Sequence, residues 1–402
     1  MTTPPLKIDD PDARPVSGIA LFDLGFRPFF LLAGIAACLL VPVWIYSYIS
    51  GNSWFEYYGA LTWHSHEMVF GYSVAVIAGF LLTAVRNWTG LQTPDGIALG
   101  GLLLLWLAGR VIPLLSGILP DPLIALVDVA FLPVLAATLS VPLIRRRQKH
   151  NLVFLVVLTA LTVANILVHL QRLGLTQTTA NSGTYLAVYL IVLLIAIVGG
   201  RVIPFFTERG LAGGVTTRQW KPVEILAFGS LIILTALELA HAPSIAVMLA
   251  AGLAAIAHGI RLFGWYRNAV WRVPLLWILH LGYAWLVAGF LLQALSAAGL
   301  VNPMLAIHAY TAGGIGTITL GMMARVALGH TGRALQVGAA MSRAFILVNL
   351  AAFSRVFLPV IDSDHARAWI VLAGIFWSVA FAIFVISYAR VFIQPRVDGR
   401  PG

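Results

Sequence analysis

Apolar stretches cover almost the whole chain, from Phe29 to Phe392, and constrain its fold more than any other feature. Nearly every window of roughly twenty residues in this range is apolar enough for the hydrocarbon core of a bilayer. Of the 402 residues, 60% are hydrophobic and 10% are charged. A soluble domain of this length could not bury so much apolar surface. The sequence therefore predicts an all-α, polytopic membrane protein without a separate soluble domain.

The apolar windows predict about twelve transmembrane helices. Their approximate spans are 29–49, 61–86, 97–115, 121–144, 152–171, 184–205, 222–240, 244–262, 273–297, 303–329, 338–360 and 366–393. Residues 1–28 lack the basic segment, short apolar core and cleavage site of a signal peptide, so they predict a retained cytoplasmic tail. The predicted domains are this tail, a transmembrane domain over residues 29–393 and a cytoplasmic C-terminal tail over residues 394–402.

Lys and Arg residues collect in alternate connections between the predicted helices. The basic connections contain Arg86; Arg145, Arg146, Arg147 and Lys149; Arg209, Arg218 and Lys221; Arg261, Arg267 and Arg272; and Arg333 and Arg343. Cytoplasmic connections carry the excess of basic residues in membrane proteins. The pattern therefore predicts a bacterial inner-membrane protein with both termini in the cytoplasm. The formal net charge of +10 is then a topology signal, and no nucleic-acid partner is expected.

The second and tenth predicted helices resemble each other. A shift of 242 residues places His66 on His308, Gly71 on Gly313 and Gly79 on Gly321. A segment of helix 3 that ends at Pro113 also echoes a segment of helix 11 that ends at Pro359. Copies separated by an even number of helices share their orientation, so helices 2–3 and 10–11 predict a parallel internal repeat. Chance matches within a small apolar alphabet are the alternative.

The number and position of cysteines restrict the kinds of metal centre that this chain can form. The single cysteine, Cys38, lies within the first predicted helix, where it cannot form an intrachain disulfide and packs as a small hydrophobe. Cysteine-ligated metal centres and covalent c-type haem are therefore excluded.

Histidines are the strongest candidates for metal ligands. On the predicted topology, His64, His66, His169 and His308 share a layer near the outer side of the membrane. Imidazole binds haem iron, copper and non-haem iron, and a lone polar ring inside a membrane is costly unless something occupies it. His64 and His66 are two residues apart, so on a helix they point about 200° from each other. One can face a cofactor while the other faces a second metal or a carboxylate.

A second layer of histidines is predicted nearer the cytoplasmic side. It contains His258, His280 and His330. His330 lies roughly 33 Å along one helix from His308, so these two cannot ligate one metal. For every histidine, hydrogen bonding to a neighbouring helix or a position among lipid headgroups is the alternative to metal binding.

Several other charges lie within the predicted helices. Arg110, Arg201, Arg325 and Arg355 are candidates to bind haem propionates, because guanidinium pairs bidentately with carboxylates. They could equally tie helix ends together or extend their head groups to the interface. Glu67, Asp128 and Glu238 are candidates for a proton path to a metal centre. An ion pair with a neighbouring arginine is the alternative for each carboxylate.

Four segments resemble motifs of the NnrS family. They are Phe26-Arg27-Pro28-Phe29-Phe30, Trp63-His64-Ser65-His66-Glu67-Met68-Val69-Phe70-Gly71, Gly200-Arg201-Val202-Ile203-Pro204-Phe205-Phe206-Thr207 and Arg325-Val326-Ala327-Leu328-Gly329-His330-Thr331-Gly332-Arg333. The resemblance covers nearly the whole chain. It implies a twelve-helix bacterial membrane protein that contains haem and copper and protects against nitrosative stress. His64, His66, His308 and His330 are then the expected metal ligands.

A more distant likeness is to nitric oxide reductases and other haem-copper oxidases, which have a twelve-helix core with haem histidines on helices 2 and 10. This likeness implies that His66 and His308 bracket a low-spin haem. Those enzymes also carry adjacent histidines on helix 7, whereas this chain has none there before His241. A conventional binuclear site is therefore not expected.

The favoured function is haem-dependent reduction of nitric oxide to nitrous oxide. It would use haem b and a second metal, copper or non-haem iron, with electrons from quinol or a small cytochrome or cupredoxin. Nitric oxide is apolar and can enter from the lipid, and its reduction consumes protons. One alternative is a haem protein that binds nitric oxide or mobilises iron nitrosyl species without turnover. Another is a transporter of metal, haem or a small anion.

Overall fold

Twelve long apolar helices make up the computed structural model, which describes residues 18–51 and 55–399. They are α1 Phe26–Ser50, α2 Ala60–Thr89, α3 Gly96–Leu115, α4 Asp121–Arg145, α5 Lys149–Arg172, α6 Thr179–Gly210, α7 Lys221–Leu239, α8 Ser244–Trp265, α9 Pro274–Ala297, α10 Pro303–His330, α11 Ala339–Ile361 and α12 Ala366–Ile393. No β-strand occurs in these described ranges. The predicted all-α, multi-pass membrane fold is confirmed.

Helix boundaries differ slightly from the sequence prediction. The first helix begins at Phe26, so Arg27 and Pro28 belong to α1 and not to the predicted N-terminal tail. Arg27 is buried because its guanidinium has backbone carbonyls to bind inside the protein. Residues 1–17 and 400–402 of the two predicted tails lie outside the described residues.

The two ends of the described chain meet at one face of the bundle, which we call the terminal face. Arg27 Nη1 donates to the carbonyls of Phe392 and Gln394 at 3.0 and 2.7 Å. Arg396 Nη1 donates to the carbonyl of His330 at 3.0 Å. The bonds of Arg27 fasten the start of α1 to the end of α12, and the bond of Arg396 fastens the segment after α12 to the end of α10. The opposite face, where α1 ends and α2 begins, is called the distal face.

Helices α2 and α10 form the centre of the bundle. In their most hydrophobic windows, 89% of the α2 residues and 78% of the α10 residues are buried, against 33% for α1. Glycines allow close approach there, since Gly282 and Gly289 of α9 leave space for Ile318 and Tyr310 of α10. The two helices that carry His64, His66 and His308 are therefore shielded by the other ten.

Both central helices contain one π-helical segment. Glu67–Ser73 follows His66 in α2, and Ala309–Ile315 follows His308 in α10. The segments are 242 residues apart, the same shift that aligns the predicted repeat. The repeat itself stays a prediction, but it would account for this coincidence. Single π segments inside α-helices occur often at functional sites.

The predicted orientation can be tested by thiol labelling in spheroplasts. In a Cys38→Ser background, Gln177→Cys lies in a distal connection and Gln219→Cys in a terminal one, and both side chains are exposed. Because the terminal connections carry most of the Lys and Arg residues, we expect an impermeant maleimide to label Gln177→Cys alone. Gln219→Cys should react only after the membrane is permeabilised. The opposite labelling pattern would reverse the proposed topology.

Candidate functional site

A cavity of about 520 Å³ lies between α1, α2, α6, α10, α11 and α12 near the distal face. We call it the histidine cavity. Most of its lining is apolar, and its ionisable side chains include His64, His308 and Arg355. Pockets for small molecules typically enclose about 300–1,000 Å³ and combine apolar walls with a few polar groups. The histidine cavity therefore has the size and lining of a ligand site.

His308 is held with one ring nitrogen directed to the backbone. Its Nδ1 donates to the carbonyl of Met304, one helical turn earlier, at 2.8 Å. With the proton on Nδ1, Nε2 carries the lone pair of the neutral ring. This arrangement is usual for a histidine that ligates a metal, since a hydrogen bond on one nitrogen fixes the tautomer and orientation of the other.

His64 enters the histidine cavity from α2. Its ring stacks on Trp44 of α1, with 4.2 Å between ring centroids and 23° between planes. Its Nδ1 is buried and has no hydrogen-bond partner. A buried polar nitrogen without a partner is costly, so His64 is a candidate to bind a ligand in the histidine cavity.

Arg355 of α11 adds a positive charge to the histidine cavity. Within the described ranges, no Asp or Glu side chain forms an ion pair with it. A guanidinium that lines a cavity without an anionic partner favours a ligand that carries a carboxylate or a similar group.

The residues of the histidine cavity fit a haem of type b. Two imidazoles suit iron, the apolar walls suit the macrocycle, and Arg355 suits a propionate. The glycines that follow His308 do not provide the space, since Gly313 and Gly316 pack against the indole rings of Trp285 and Trp377. The space for the macrocycle lies between the six helices that line the cavity.

A second group of polar side chains lies on the other side of α2. This carboxylate cluster consists of His66, Glu67, Arg110, Asp128, Asn165 and His169. Asp128 is its centre: Oδ2 accepts from His169 Nε2 and Asn165 Nδ2, both at 2.9 Å, and lies 3.1 Å from His66 Nε2. All except Arg110 are at least 95% buried. The cluster therefore places several ionisable groups in a nearly dry interior.

Arg110 supplies the positive charge of the carboxylate cluster. Its Nη2 is paired with Asp128 Oδ1, and its Nε lies 3.4 Å from Glu67 Oε2. Glu67 Oε1 is 3.4 Å from His66 Nδ1. Gly71 packs against both Glu67 and Arg110, and a Cβ atom at this position would come 2.8 Å from Glu67 Oε2. Arg110 thus contacts two carboxylates and does not line the histidine cavity.

Two tyrosines connect the carboxylate cluster to the distal connection between α1 and α2. Tyr57 OH lies 2.8 Å from His169 Nδ1, and Tyr58 OH lies 3.2 Å from His66 Nε2. Burial raises the pKa of both phenols, so they are neutral and can donate. The chain Tyr57, His169, Asp128 and His66 is therefore continuous, and it can hold and pass a proton.

The carboxylate cluster also offers three ligands for a metal ion. Ligand atoms of His66, Asp128 and His169 all lie within 4.8 Å of one another. Each of these atoms is engaged in a hydrogen bond, and Arg110 occupies the other Asp128 oxygen. A metal ion would have to displace these bonds and sit near a cation. The arrangement therefore fits proton transfer more directly than metal binding.

The structure brings together a different pair of histidines from the pair that was predicted from the sequence. His308 shares its cavity with His64, whereas His66 faces the carboxylate cluster, so the predicted bracketing pair of His66 and His308 is not formed. The physical reason is the helical rotation of about 200° between residues two apart. The prediction that His64 and His66 face different surroundings agrees with this arrangement.

Four other predicted residues lie away from both sites. Arg201 is exposed and donates to Asn151 Oδ1, while Arg325 lies over the ring of Phe206 at 3.7 Å. His280 Nδ1 donates to the carbonyl of Leu276 within its own helix. The ring of His330 is 5.7 Å from that of Phe26 at the terminal face. Nothing in the described residues brings these four into one ligand set.

One ion pair of a buried arginine was not predicted from the sequence. Arg261 of α8 forms a bidentate pair with Glu224 of α7, at 2.9 and 2.8 Å, and also binds Tyr283 OH. His258, one turn before Arg261, lies 2.7 Å from the same hydroxyl. The sequence pattern assigned Arg261 to a connection. The spacing of His258 and Arg261 on one helical face was the available signal for a shared buried partner.

Substitution of Asp128 tests the carboxylate cluster. Asp128→Asn leaves the partly buried Arg110 with only the more distant Glu67, and breaking a buried pair costs about 3–5 kcal/mol. We expect a clear loss of stability in detergent, measured by unfolding with increasing denaturant. Asp121→Asn changes an exposed carboxylate at the start of the same helix and should be neutral. Equal stability of both variants would exclude Arg110 and Asp128 as a structural pair.

The chain was compared with known proteins. The profile of a protein family described as NnrS protein matches residues 20–396, nearly the whole chain. A comparison with curated proteins found no match. The matched range includes every residue described above for the histidine cavity and the carboxylate cluster. The chain belongs to the NnrS family.

Proposed function

We propose that this protein binds haem b in the histidine cavity and reduces nitric oxide to nitrous oxide in the bacterial inner membrane. Membership of the NnrS family fits a function in the response to nitric oxide or nitrosative stress. The observation that carries the proposal is the meeting of two imidazoles, His64 and His308, with the unpaired guanidinium of Arg355 in one cavity. These groups match the ligands and the propionate partner of a haem.

Each side chain has a distinct task in this proposal. His308 is the fixed ligand, because its Nδ1 is already held by the Met304 carbonyl. His64 is the more readily exchanged ligand, because its Nδ1 has no hydrogen bond to hold the ring. Arg355 neutralises a propionate. Bound haem would supply an iron centre that accepts electrons and binds nitric oxide. The apolar walls admit an uncharged diatomic gas and exclude bulk water.

The carboxylate cluster supplies protons in this proposal. Conversion of two nitric oxide molecules to nitrous oxide and water takes up two electrons and two protons. Tyr57, His169, Asp128 and His66 lead from the distal connection to Glu67. Glu67 lies one turn after His64 on α2 but faces the carboxylate cluster, so this chain ends about one helix diameter from the histidine cavity. Copper or non-haem iron at His66, Asp128 and His169 is a secondary expectation.

Binding of nitric oxide without turnover is the second candidate function. It is favoured by the hydrogen bonds of His66, Asp128 and His169, since three possible ligands that keep these bonds leave only the histidine cavity for a redox metal. A protein with one haem and no second metal would act as a scavenger or a sensor.

The haem assignment predicts different spectra for neighbouring histidine substitutions. Purified wild-type protein should contain low-spin haem b, and His308→Ala should lose most of it. His64→Ala should retain haem with a high-spin spectrum, because one of the two histidine ligands is gone. His66→Ala, two residues away but on the other side of α2, should keep the low-spin spectrum. Absorption spectra and haem content of the oxidised and reduced proteins give the readout.

Arginine substitutions provide a matched test of the propionate site. Arg355→Ala should lower haem affinity about tenfold or more, since a charge-assisted hydrogen bond contributes about 1.5–3 kcal/mol. Arg201→Ala removes an exposed arginine outside the cavity and should leave the affinity unchanged. Low-spin haem that survives in both His64→Ala and His308→Ala would refute the proposed ligand pair.

Turnover separates the reductase from the binding protein. With haem, nitric oxide and an artificial reductant, we expect sustained release of nitrous oxide. Glu67→Gln should slow it by about a hundredfold with an unchanged haem spectrum, because it removes an ionisable group from the proton path. Glu56→Gln, an exposed carboxylate in the α1–α2 connection, is the control. Nitric oxide binding without nitrous oxide release would identify a scavenger or sensor.

A further inference from the structure

A second cavity, of about 530 Å³, lies beside the histidine cavity and is also near the distal face. It is bounded by α6, α7, α8, α9 and α10. We call it the glutamate cavity, after Glu238 in its lining. Apolar side chains such as Leu237, Val247 and Ala297 form part of its wall, and His241 lies on the same wall as Glu238. Neither Glu238 nor His241 has a task in the proposed chemistry of the histidine cavity.

Polar groups converge on one side of the glutamate cavity. Gln293 Nε2 donates to Glu238 Oε1 at 2.5 Å and also to Tyr189 OH. Tyr310 OH donates to Gln293 Oε1 at 2.8 Å. Gln293 is 7% exposed, and the two tyrosines are 2% and 1% exposed. The result is a carboxylate held at a cavity wall by a buried network that fixes its position.

Glu238 has no positive partner that would explain its position as structural. Among the described residues, no Lys, Arg or His forms an ion pair with it. Glu238 is half-buried near the distal end of α7, and a carboxylate that lines a cavity in a membrane bundle often marks a functional pathway. Its hydrogen-bond partners are all neutral, so it can accept a proton without leaving a buried cation unpaired.

The two cavities share a wall. Asn181, Tyr185 and Ile307 line both of them, and Ile307 immediately precedes His308. A molecule in the glutamate cavity would therefore lie next to the helix turn that carries the fixed haem ligand. Electrons could pass between the two sites without crossing a further layer of helices.

We infer that the glutamate cavity binds a quinol, the electron donor for the histidine cavity, and this inference rests on the proposed function. Oxidation of a quinol to a quinone breaks two O–H bonds and releases two electrons and two protons. Glu238 accepts one proton and His241 accepts the other. Reduction of two nitric oxide molecules to nitrous oxide and water takes up the same numbers of electrons and protons, so the reactions balance.

A quinol fits the glutamate cavity better than other donors. Its ring is small and carries two hydroxyl groups that can donate to a carboxylate and an imidazole. Its tail is apolar, and the helix that contributes Val247 exposes Ile245 and Leu249 on its outer surface, at 59% and 63%. A protein donor could not enter a cavity of this volume. The cavity thus combines a polar end for the head group with an apolar surrounding for the tail.

Decylubiquinol is a suitable probe for binding to the purified, haem-loaded protein with its haem already reduced, because its hydroxyl groups can donate to Glu238 and no electron can then be transferred. We expect saturable binding by isothermal titration, which is independent of turnover. Glu238→Gln should weaken it about tenfold or more, since a charge-assisted hydrogen bond is lost, and Glu238→Asp should restore part of it. Ser296→Phe fills the cavity and should abolish binding. Ser140→Phe, a half-buried serine that lines neither cavity, should bind as wild type does.

Stopped-flow reduction of the haem by decylubiquinol gives a second readout. The rate should fall in Glu238→Gln and Ser296→Phe with unchanged haem spectra. If haem is present but Ser296→Phe binds decylubiquinol as wild type does, the inferred site is wrong. If haem is absent yet binding depends on Glu238, the proposed function fails while the quinone site stands. Binding by neither wild type nor variants would overturn the inference.

Discussion

Buried polar groups in a membrane bundle must find their partners within the protein, because lipid offers neither donors nor acceptors. Most of the groups in this protein do so. Arg110 is paired with Asp128, and Arg261 with Glu224. His64 Nδ1 is one of several buried atoms without a hydrogen-bond partner, and among the described residues no Asp or Glu side chain pairs with Arg355. The histidine cavity is therefore one of the places where the internal pairing is incomplete, and it has room for a ligand.

The helical rotation of α2 separates the two chemistries. His64, Met68 and Tyr72 follow one side of this helix and line the histidine cavity, while His66 and Phe70 follow the other and meet the carboxylate cluster. The π segment that starts at Glu67 changes the rotation locally. A redox cofactor and a proton-holding cluster can then lie on opposite sides of one helix, separated by little more than its diameter.

The sequence predicted the fold because lipid imposes a simple pattern: each span needs about twenty apolar residues, and each connection needs a turn. It also predicted that His64 and His66 face different surroundings, since that follows from the geometry of any helix. It could not predict which histidine meets His308, because this depends on the rotation of α2 against α10 in space. Arg261 was missed for a related reason, since its partner Glu224 lies on another helix.

The first turns of α10 link the two cavities physically. Ile307 contributes to both walls, His308 enters the histidine cavity, and Tyr310 binds the network that fixes Glu238. The π segment begins at Ala309 between these side chains, and its wider turn changes their directions relative to a regular helix. A change in the contacts of a molecule in one cavity would therefore act on the same turn of backbone that lines the other cavity. Coupling between a molecule in the glutamate cavity and His308 requires no more than this shared turn.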